Sequence, residues 1–112
     1  MAQHDPLRTL FRAKPMNTNT TLVALMTNAR LSKVDTNRMA QRGHDGMARA
    51  TKPVHTSFDG DIVFALSAGR VDAGFDLVGE MGADVTGQAM RSAVRAATSV
   101  GGVPALKDLP PR

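Results

Sequence analysis

The segment best suited to chemistry is a short hydroxyl-rich stretch in front of an apolar run. Asn19, Thr20 and Thr21 lie directly before the apolar residues 22–26. If the Asn19–Thr20 peptide bond is cut, Thr20 gains a free α-amino group beside its own hydroxyl. Such an amine, with a pKa near ~8, accepts a proton at neutral pH, so one residue would supply both nucleophile and base. Thr20 is therefore a candidate nucleophile, and Asn19 precedes the candidate cleavage point.

Two carboxylates precede a second apolar run. Asp59, Gly60 and Asp61 lead into residues 62–66. A strand that opens with a nucleophile, together with one that opens with paired carboxylates, indicates a hydrolytic site. The alternative is that both aspartates are turn residues around Gly60, since Asp-Gly is ordinary turn chemistry. Both interpretations stay open on the residues alone.

Other candidates are a neighbouring threonine and the histidines. Thr18, which follows Asn17, is the alternative position for the nucleophile. His55 lies near the carboxylates and is the histidine better suited to a functional role, whereas His44 is interpreted as a packed or solvent-facing residue of a helix. The histidines share no metal-ligand spacing and the chain has no cysteine, so no zinc site is predicted.

Composition indicates one small globular domain. The chain has 112 residues, of which 42% are hydrophobic and 21% charged, a balance typical of a folded protein. We predict a cytoplasmic protein without a membrane partner, because no stretch reaches the ~18 apolar residues of a membrane span and no secretory signal opens the chain. The net charge of +4 comes from scattered basic residues without interleaved aromatics, so nucleic acid is not favoured as a partner.

The sequence pattern predicts the order strand, helix, strand, helix. Residues 20–27 and 61–67 are short apolar runs typical of buried strands. Ser32 and Asp35 resemble a helix-capping box, and Pro53 ends that helix. Its predicted apolar stripe comprises Met39, Ala40, Gly43, Met47 and Ala50.

The C-terminal part is predicted to contain a second helix. Residues 68–80 are rich in glycine and are interpreted as a loop or a frayed strand. A helix is expected from about Asp84 to Ser99, ended by Gly101 and Gly102. Its predicted apolar stripe comprises Val85, Ala89, Ala93, Ala96 and Val100. Two strands alone make too small a sheet for independent stability, so we expect part of the sheet to lie outside this chain.

Three stretches resemble the C-terminal, β-chain segment of the L-aminopeptidase/D-esterase proteins, also called β-peptidyl aminopeptidases. In chain order they are TTLVALMTNARL, QRGHDGMARA and KPVHTSFDGDIVFAL. The resemblance runs from about Met16 to about Ala97. Members are made as a precursor that cuts itself into α and β chains, and the new N-terminal Ser or Thr of the β chain is the nucleophile.

The resemblance implies both a fold and a site. The implied fold is an α/β (α+β) four-layer α-β-β-α sandwich similar to that of N-terminal-nucleophile hydrolases, to which this chain contributes a β-α-β-α segment. The implied scissile bond is Asn19–Thr20, with Thr20 as the catalytic nucleophile. Asp59 and Asp61 fall where the family often has a Ser-x-Glu pair that supports the nucleophile. Asp59 thus replaces a hydroxyl residue, and an ionised carboxylate cannot donate a hydrogen bond.

The chain starts nineteen residues before Thr20, where the family has a long α region that supplies strands, the substrate pocket and oxyanion-stabilising side chains. We therefore expect residues 1–18 to be a linker or the end of an α-type segment. Residues 19–101 are expected to form the β-chain-like catalytic segment, and residues 102–112 a disordered tail.

The function implied by the resemblance is that of an aminopeptidase-type hydrolase segment. It would cut itself at Asn19–Thr20 and release N-terminal residues from short peptides, amides or esters without a cofactor. The implied partners are an α-type chain and further copies in a homo-oligomer. The alternatives are a truncated, non-catalytic remnant or subunit that needs a separate α chain, and a small basic binding module.

Overall fold

The structure, a computed structural model, describes residues 19–111 and has the predicted element order. Residues 1–18, including the alternative nucleophile Thr18 and the expected linker, lie outside the described residues. The elements are β1 (Leu22–Ala29), α1 (Lys33–Ala50), β2 (Ile62–Val71), α2 (Phe75–Ala96) and a short 3-10 helix (Leu106–Asp108). These elements form a small α+β unit.

The two strands pair in parallel. Leu22 lies opposite Ile62, and Met26 lies opposite Leu66. Both segments are apolar and contain β-branched residues, which favour extended structure. The observed pairing confirms both predicted strands. The second strand, however, continues beyond the predicted end at residue 67 as far as Val71.

Helix α1 begins where the capping signal predicted. The Ser32 side-chain oxygen accepts a hydrogen bond from the Asp35 backbone N–H at 3.0 Å, which satisfies one of the unpaired N–H groups of the first turn. Met39, Gly43 and Met47 are buried, so the central part of the predicted apolar stripe is confirmed. The two methionines join residues of both strands in the core.

Helix α2 differs from its prediction at both ends. It begins at Phe75, inside the segment interpreted as a loop or frayed strand, and ends at Ala96, before Ser99. The predicted stripe is also wrong, because Val85 and the alanines of that stripe are exposed. The buried residues of α2 are instead Val78, Gly79, Gly82, Ala83, Thr86 and Gly87.

Close contact between the two helices explains this difference. A Cβ added at Gly46 of α1 would lie 2.2 Å from the backbone oxygen of Ala83 in α2. The backbones therefore approach so closely that only small residues fit between them. Glycine lowers the intrinsic preference for a helix, but here the glycines allow the two helices to pack. The sequence prediction followed the periodicity of large apolar residues, so it could not reveal the small-residue face of α2.

The helices cover only one face of the sheet. Side chains alternate along each strand, and Leu25 and Val63 are buried against the helices. The other face, which we call the open sheet face, consists of large apolar side chains that are all exposed. They are Leu22, Met26, Ile62, Phe64 and Leu66.

The segment after α2 is short and partly ordered into turns. Val100 pairs with Val103 across Gly101 and Gly102, and Ala105 is buried. The 3-10 helix follows within the stretch for which a disordered tail was expected. Within residues 19–111, neither helix combines the length and the apolar character that a membrane crossing requires.

Candidate active site

The strand pairing continues past both strands into the predicted site. Asn19 pairs with Asp59 in a parallel bridge, which keeps the register of β1 on β2. The Asn19 N–H donates to the Phe58 carbonyl at 3.2 Å, and the Gly60 N–H donates to the Asn19 carbonyl at 2.8 Å. The candidate scissile carbonyl is therefore held by a backbone hydrogen bond from the neighbouring segment.

The Thr20 side chain lies beside Gly60. A Cβ added at Gly60 would lie 2.9 Å from Thr20 Oγ1, so the missing side chain leaves the space that the hydroxyl occupies. Thr20 is exposed. By the alternation of the paired segments, it lies on the same side of the sheet as the open sheet face.

Asp61 is held between the backbone of Thr21 and a histidine. Its Oδ1 accepts a hydrogen bond from the Thr21 N–H at 2.9 Å, and its Oδ2 lies 2.9 Å from His55 Nδ1. The Asp61 side chain is only 7% exposed. Burial raises the pKa of Asp61, but the hydrogen bonds from Thr21 and His55 and the attraction of the His55 ring together hold that pKa below its ordinary value.

Asp59 has a different set of partners. Its Oδ2 accepts hydrogen bonds from the Thr56 N–H at 2.7 Å and from the Thr56 hydroxyl at 2.8 Å. These contacts close a turn over residues 56–59, which lies before Gly60 and not around it as the turn interpretation predicted. Among the described residues, no hydrogen bond joins either carboxylate to the Thr20 hydroxyl.

Two histidines extend the site behind Asp61. His55 Nε2 lies 3.2 Å from His44 Nδ1, and the two rings meet edge to face with their centroids 4.8 Å apart. Sequence reasoning gave His44 no role, because its partner is contributed by a loop after the helix. The one available signal was the nearness of His55 to the carboxylates.

A cleft of about 330 Å³ opens on the carboxylate side of this segment. Its lining includes Asn19, Thr21, Thr56, Asp59 and Asp61. Thr20 itself is not part of that lining, because its side chain lies on the opposite side of the sheet. Within the part of the chain that the structure describes, no cluster of three or more His, Asp or Glu side chains is arranged to hold a metal ion.

The four residues predicted from sequence thus lie on neighbouring paired segments, but the Thr20 side chain lies on the opposite side of the sheet from the two carboxylates. The parallel pairing brings them together, with Asn19 beside Asp59 and Thr21 bonded to Asp61. The neighbours that the sequence did not single out are Gly60, whose N–H holds the Asn19 carbonyl, and His44, which contacts His55. Backbone groups and pairs of distant residues leave no signature in a single sequence.

Comparison with known proteins identifies the family of the chain. The profile described as Peptidase family S58 matches residues 2–107. An "uncharacterized aminopeptidase" of Mycobacterium leprae is 40% identical over 101 residues, which cover 77% of this chain and 28% of that protein. A protein with the same description from Mycobacterium tuberculosis is 36% identical over 108 residues, or 83% of this chain and 31% of that protein.

A shorter part of the chain is similar to proteins described with a different activity. A protein of Paenarthrobacter ureafaciens described as a 6-aminohexanoate-oligomer endohydrolase is 43% identical over 54 residues, which cover 48% of this chain and 15% of that protein. The chain therefore belongs to a class of peptidase-related proteins. The chain is a member of Peptidase family S58. It spans about three-tenths of the length of the mycobacterial relatives that it matches.

Proposed function

We propose that this chain carries the nucleophile-bearing part of a self-processing aminopeptidase of the L-aminopeptidase/D-esterase type. It would cut itself at Asn19–Thr20 and use Thr20 as an N-terminal nucleophile on short peptides, amides or esters. Family membership supports the peptidase class. The proposal concerns the subtype, the cleavage and the role of Thr20.

The observation that carries the proposal is the hydrogen bond that the Asn19 carbonyl accepts. Its oxygen accepts the Gly60 N–H at 2.8 Å, and the Thr20 hydroxyl belongs to the very next residue. A donor fixed on a carbonyl oxygen stabilises the negative charge that develops there during nucleophilic attack. Self-cleavage needs this combination of a polarised carbonyl and an adjacent hydroxyl.

The self-cleavage would proceed by an N-to-O acyl shift. Thr20 Oγ1 attacks the Asn19 carbonyl carbon, the C–N bond to Thr20 breaks, and the nitrogen leaves as an amine that takes the proton from the hydroxyl. Asn19 is then held as an ester on Thr20. Water hydrolyses that ester, which frees the Asn19 carboxylate and restores the Thr20 hydroxyl.

In turnover the freed amine of Thr20 would act as the base. It accepts the hydroxyl proton while Oγ1 attacks the substrate carbonyl, and it returns a proton to the leaving amine or alcohol. Water then hydrolyses the acyl-enzyme. We assign Asp61 to holding the backbone next to the nucleophile, since it binds the Thr21 N–H, and Asp59 to closing the turn, since it binds Thr56.

The open sheet face supports the four-layer sandwich as part of the proposal. One face of the sheet is covered by helices, whereas Met26 on the other face is 80% exposed and Phe64 is 55% exposed. Exposed apolar faces of this extent mark interaction surfaces. A second sheet, contributed by an α-type segment, would cover it and place substrate-binding groups near Thr20.

The similarity to an oligomer endohydrolase favours a second candidate substrate class. That relative matches 48% of this chain, against 77% for the M. leprae protein described as an aminopeptidase. We therefore place the removal of N-terminal residues first and endo-cleavage of linear amide oligomers second. A non-catalytic subunit that needs a separate α chain remains the third alternative, and the experiment below distinguishes it.

The test uses a fusion precursor, in which this chain replaces the matching portion of the M. leprae relative. Intact mass spectrometry should detect a C-terminal fragment that begins at Thr20, and the cut product should release p-nitroaniline from amino-acid p-nitroanilides. Thr20→Ala should abolish both results. Thr18→Ala is the matched control and should leave both intact. A fusion precursor that stays whole, or one that Thr20→Ala does not affect, would refute the proposal.

A further inference from the structure

We infer that His55, with His44 behind it, is a positioning residue that fixes Asp61 and, through Asp61, the backbone next to the nucleophile. This inference rests on the proposed function, because it assigns the histidine pair to the same site. His44 lies on α1, His55 lies in the loop after α1, and Asp61 lies directly before β2. The contacts thus connect the helix layer to the segment that carries Thr20.

The hydrogen bonds fix which nitrogen atoms carry protons. An ionised carboxylate only accepts hydrogen bonds, so His55 Nδ1, at 2.9 Å from Asp61 Oδ2, must donate. In a neutral His55 ring, Nε2 is then an acceptor. His44 Nδ1, at 3.2 Å, must therefore donate to it. The result is one directed chain of hydrogen bonds from His44 through His55 to Asp61.

The same chain ends on the backbone of the candidate nucleophile. Asp61 uses its second oxygen for the Thr21 N–H at 2.9 Å. A carboxylate that is bonded at both oxygens cannot rotate without losing a partner. Since Thr21 follows Thr20 directly, the position of the Asp61 carboxylate also limits where the Thr20 hydroxyl and amine can lie.

The backbone of His55 gives an independent observation. His55 is the one non-glycine residue between positions 19 and 111 with a positive φ, at 52°. A non-glycine residue in this left-handed region is uncommon, and such residues persist where the surroundings require them, often at functional sites. Here the unusual backbone directs the ring between His44 and Asp61.

Two substitutions at His55 distinguish the effect of the ring from the effect of the backbone conformation. His55→Gly relieves the positive φ and removes the donor to Asp61. His55→Asn also tolerates a positive φ and keeps an N–H donor at nearly the position of Nδ1. If His55 acts through Asp61, the asparagine variant should rescue what the glycine variant loses. If only the backbone conformation matters, the glycine variant should behave like the unaltered chain.

The first measurement is amide hydrogen exchange of the Thr21 N–H in the full chain, with the histidine tautomers assigned by ¹⁵N NMR. We expect Nδ1–H on both His44 and His55 at neutral pH. We expect His55→Gly to speed Thr21 exchange roughly tenfold or more, because a hydrogen bond to a charged group is loosened. His55→Asn should stay within about threefold of the unaltered chain.

The second measurement is the rate of self-cleavage of the fusion precursor. Misplacement of a reacting group can cost about 100-fold, so we expect His55→Gly to slow cleavage between about 10-fold and about 100-fold, with rescue by His55→Asn. Unchanged exchange and cleavage in His55→Gly, or equal losses in both variants, would overturn the inference. If the unaltered fusion precursor is not cut, the proposed function fails, and Thr21 exchange alone decides the role of His55.

Discussion

At the scale of single residues, the candidate site depends on the absence of a side chain at Gly60. Gly60 donates its N–H to the Asn19 carbonyl and leaves room for the Thr20 hydroxyl. Alanine at this position would keep the N–H donor but fill the space. The methyl group added by Gly60→Ala therefore separates the effect of the free space from that of the N–H donor.

We predict that Gly60→Ala slows self-cleavage of the fusion precursor by about 10-fold to about 100-fold. The added Cβ would lie 2.9 Å from Thr20 Oγ1, which forces the hydroxyl to shift from its present position. The rate can be followed by intact mass spectrometry. Gly74→Ala is the control, since nothing lies within 4 Å of its added Cβ. Equal rates for the two variants would contradict the role of Gly60.

Asp61 should also give the stability of the chain a dependence on pH. Its pKa in the folded chain is lowered, so its contribution is fully present above the unfolded pKa of about 4. That contribution is lost as the pH falls through the folded pKa. We predict that Asp61→Asn lowers the free energy of unfolding by about 1 kcal/mol at neutral pH, and that the difference shrinks below about pH 4.

Urea unfolding of both chains at several pH values measures this effect. Asp59→Asn serves for comparison, because Asn at that position can still accept the hydrogen bonds of Thr56. A stability difference between Asp61→Asn and the unaltered chain that grows as the pH falls would show that the sign is wrong.

At the scale of elements, the glycines between the helices determine how closely α1 and α2 approach. We predict that Gly46→Ala destabilises the chain by about 1–3 kcal/mol, since its Cβ would meet the Ala83 carbonyl at 2.2 Å. Gly82→Ala is the matched variant, with its nearest side-chain atom at an ordinary 3.5 Å. It should be neutral or stabilising by up to about 1 kcal/mol, because Ala favours the helix.

Thermal unfolding followed by circular dichroism distinguishes these two glycine variants. Similar melting temperatures for Gly46→Ala and Gly82→Ala would mean that the helices can move apart at little cost. The close approach described here would then not be a constraint on the fold.

The elements differ in how far the sequence could predict them. The strands and the Ser32 cap follow from local signals, namely short apolar runs and a hydroxyl three residues before an acidic one. The start of α2 does not, because Gly79 and Gly82 are poor helix formers that are selected by contact with α1 and β1. The site was predicted in part. Thr20 and Asp61 came from the sequence, but the Gly60 N–H and the His44 contact depend on pairing between distant segments.

At the scale of the whole molecule, the proposed sandwich needs a second layer on the open sheet face. We predict that Phe64→Ser changes the stability of the chain alone by no more than about 0.5 kcal/mol, since the side chain is 55% exposed. In the fusion precursor, where a second sheet would cover it, the same change should cost about 3 kcal/mol or more.

Denaturant unfolding of both forms compares the two environments of Phe64. Lys33→Ser, on the exposed first turn of α1, is the control and should have little effect in either form. Equal effects of Phe64→Ser in the chain and in the fusion precursor would mean that no layer packs on the open sheet face, and the sandwich would be wrong.

The most direct measurement is N-terminal sequencing of the C-terminal fragment released from the fusion precursor. We expect the sequence Thr-Thr-Leu-Val, which begins at Thr20. An uncut precursor, or a fragment that begins at any other residue, contradicts the central claim that the Asn19–Thr20 bond is broken to make the nucleophile.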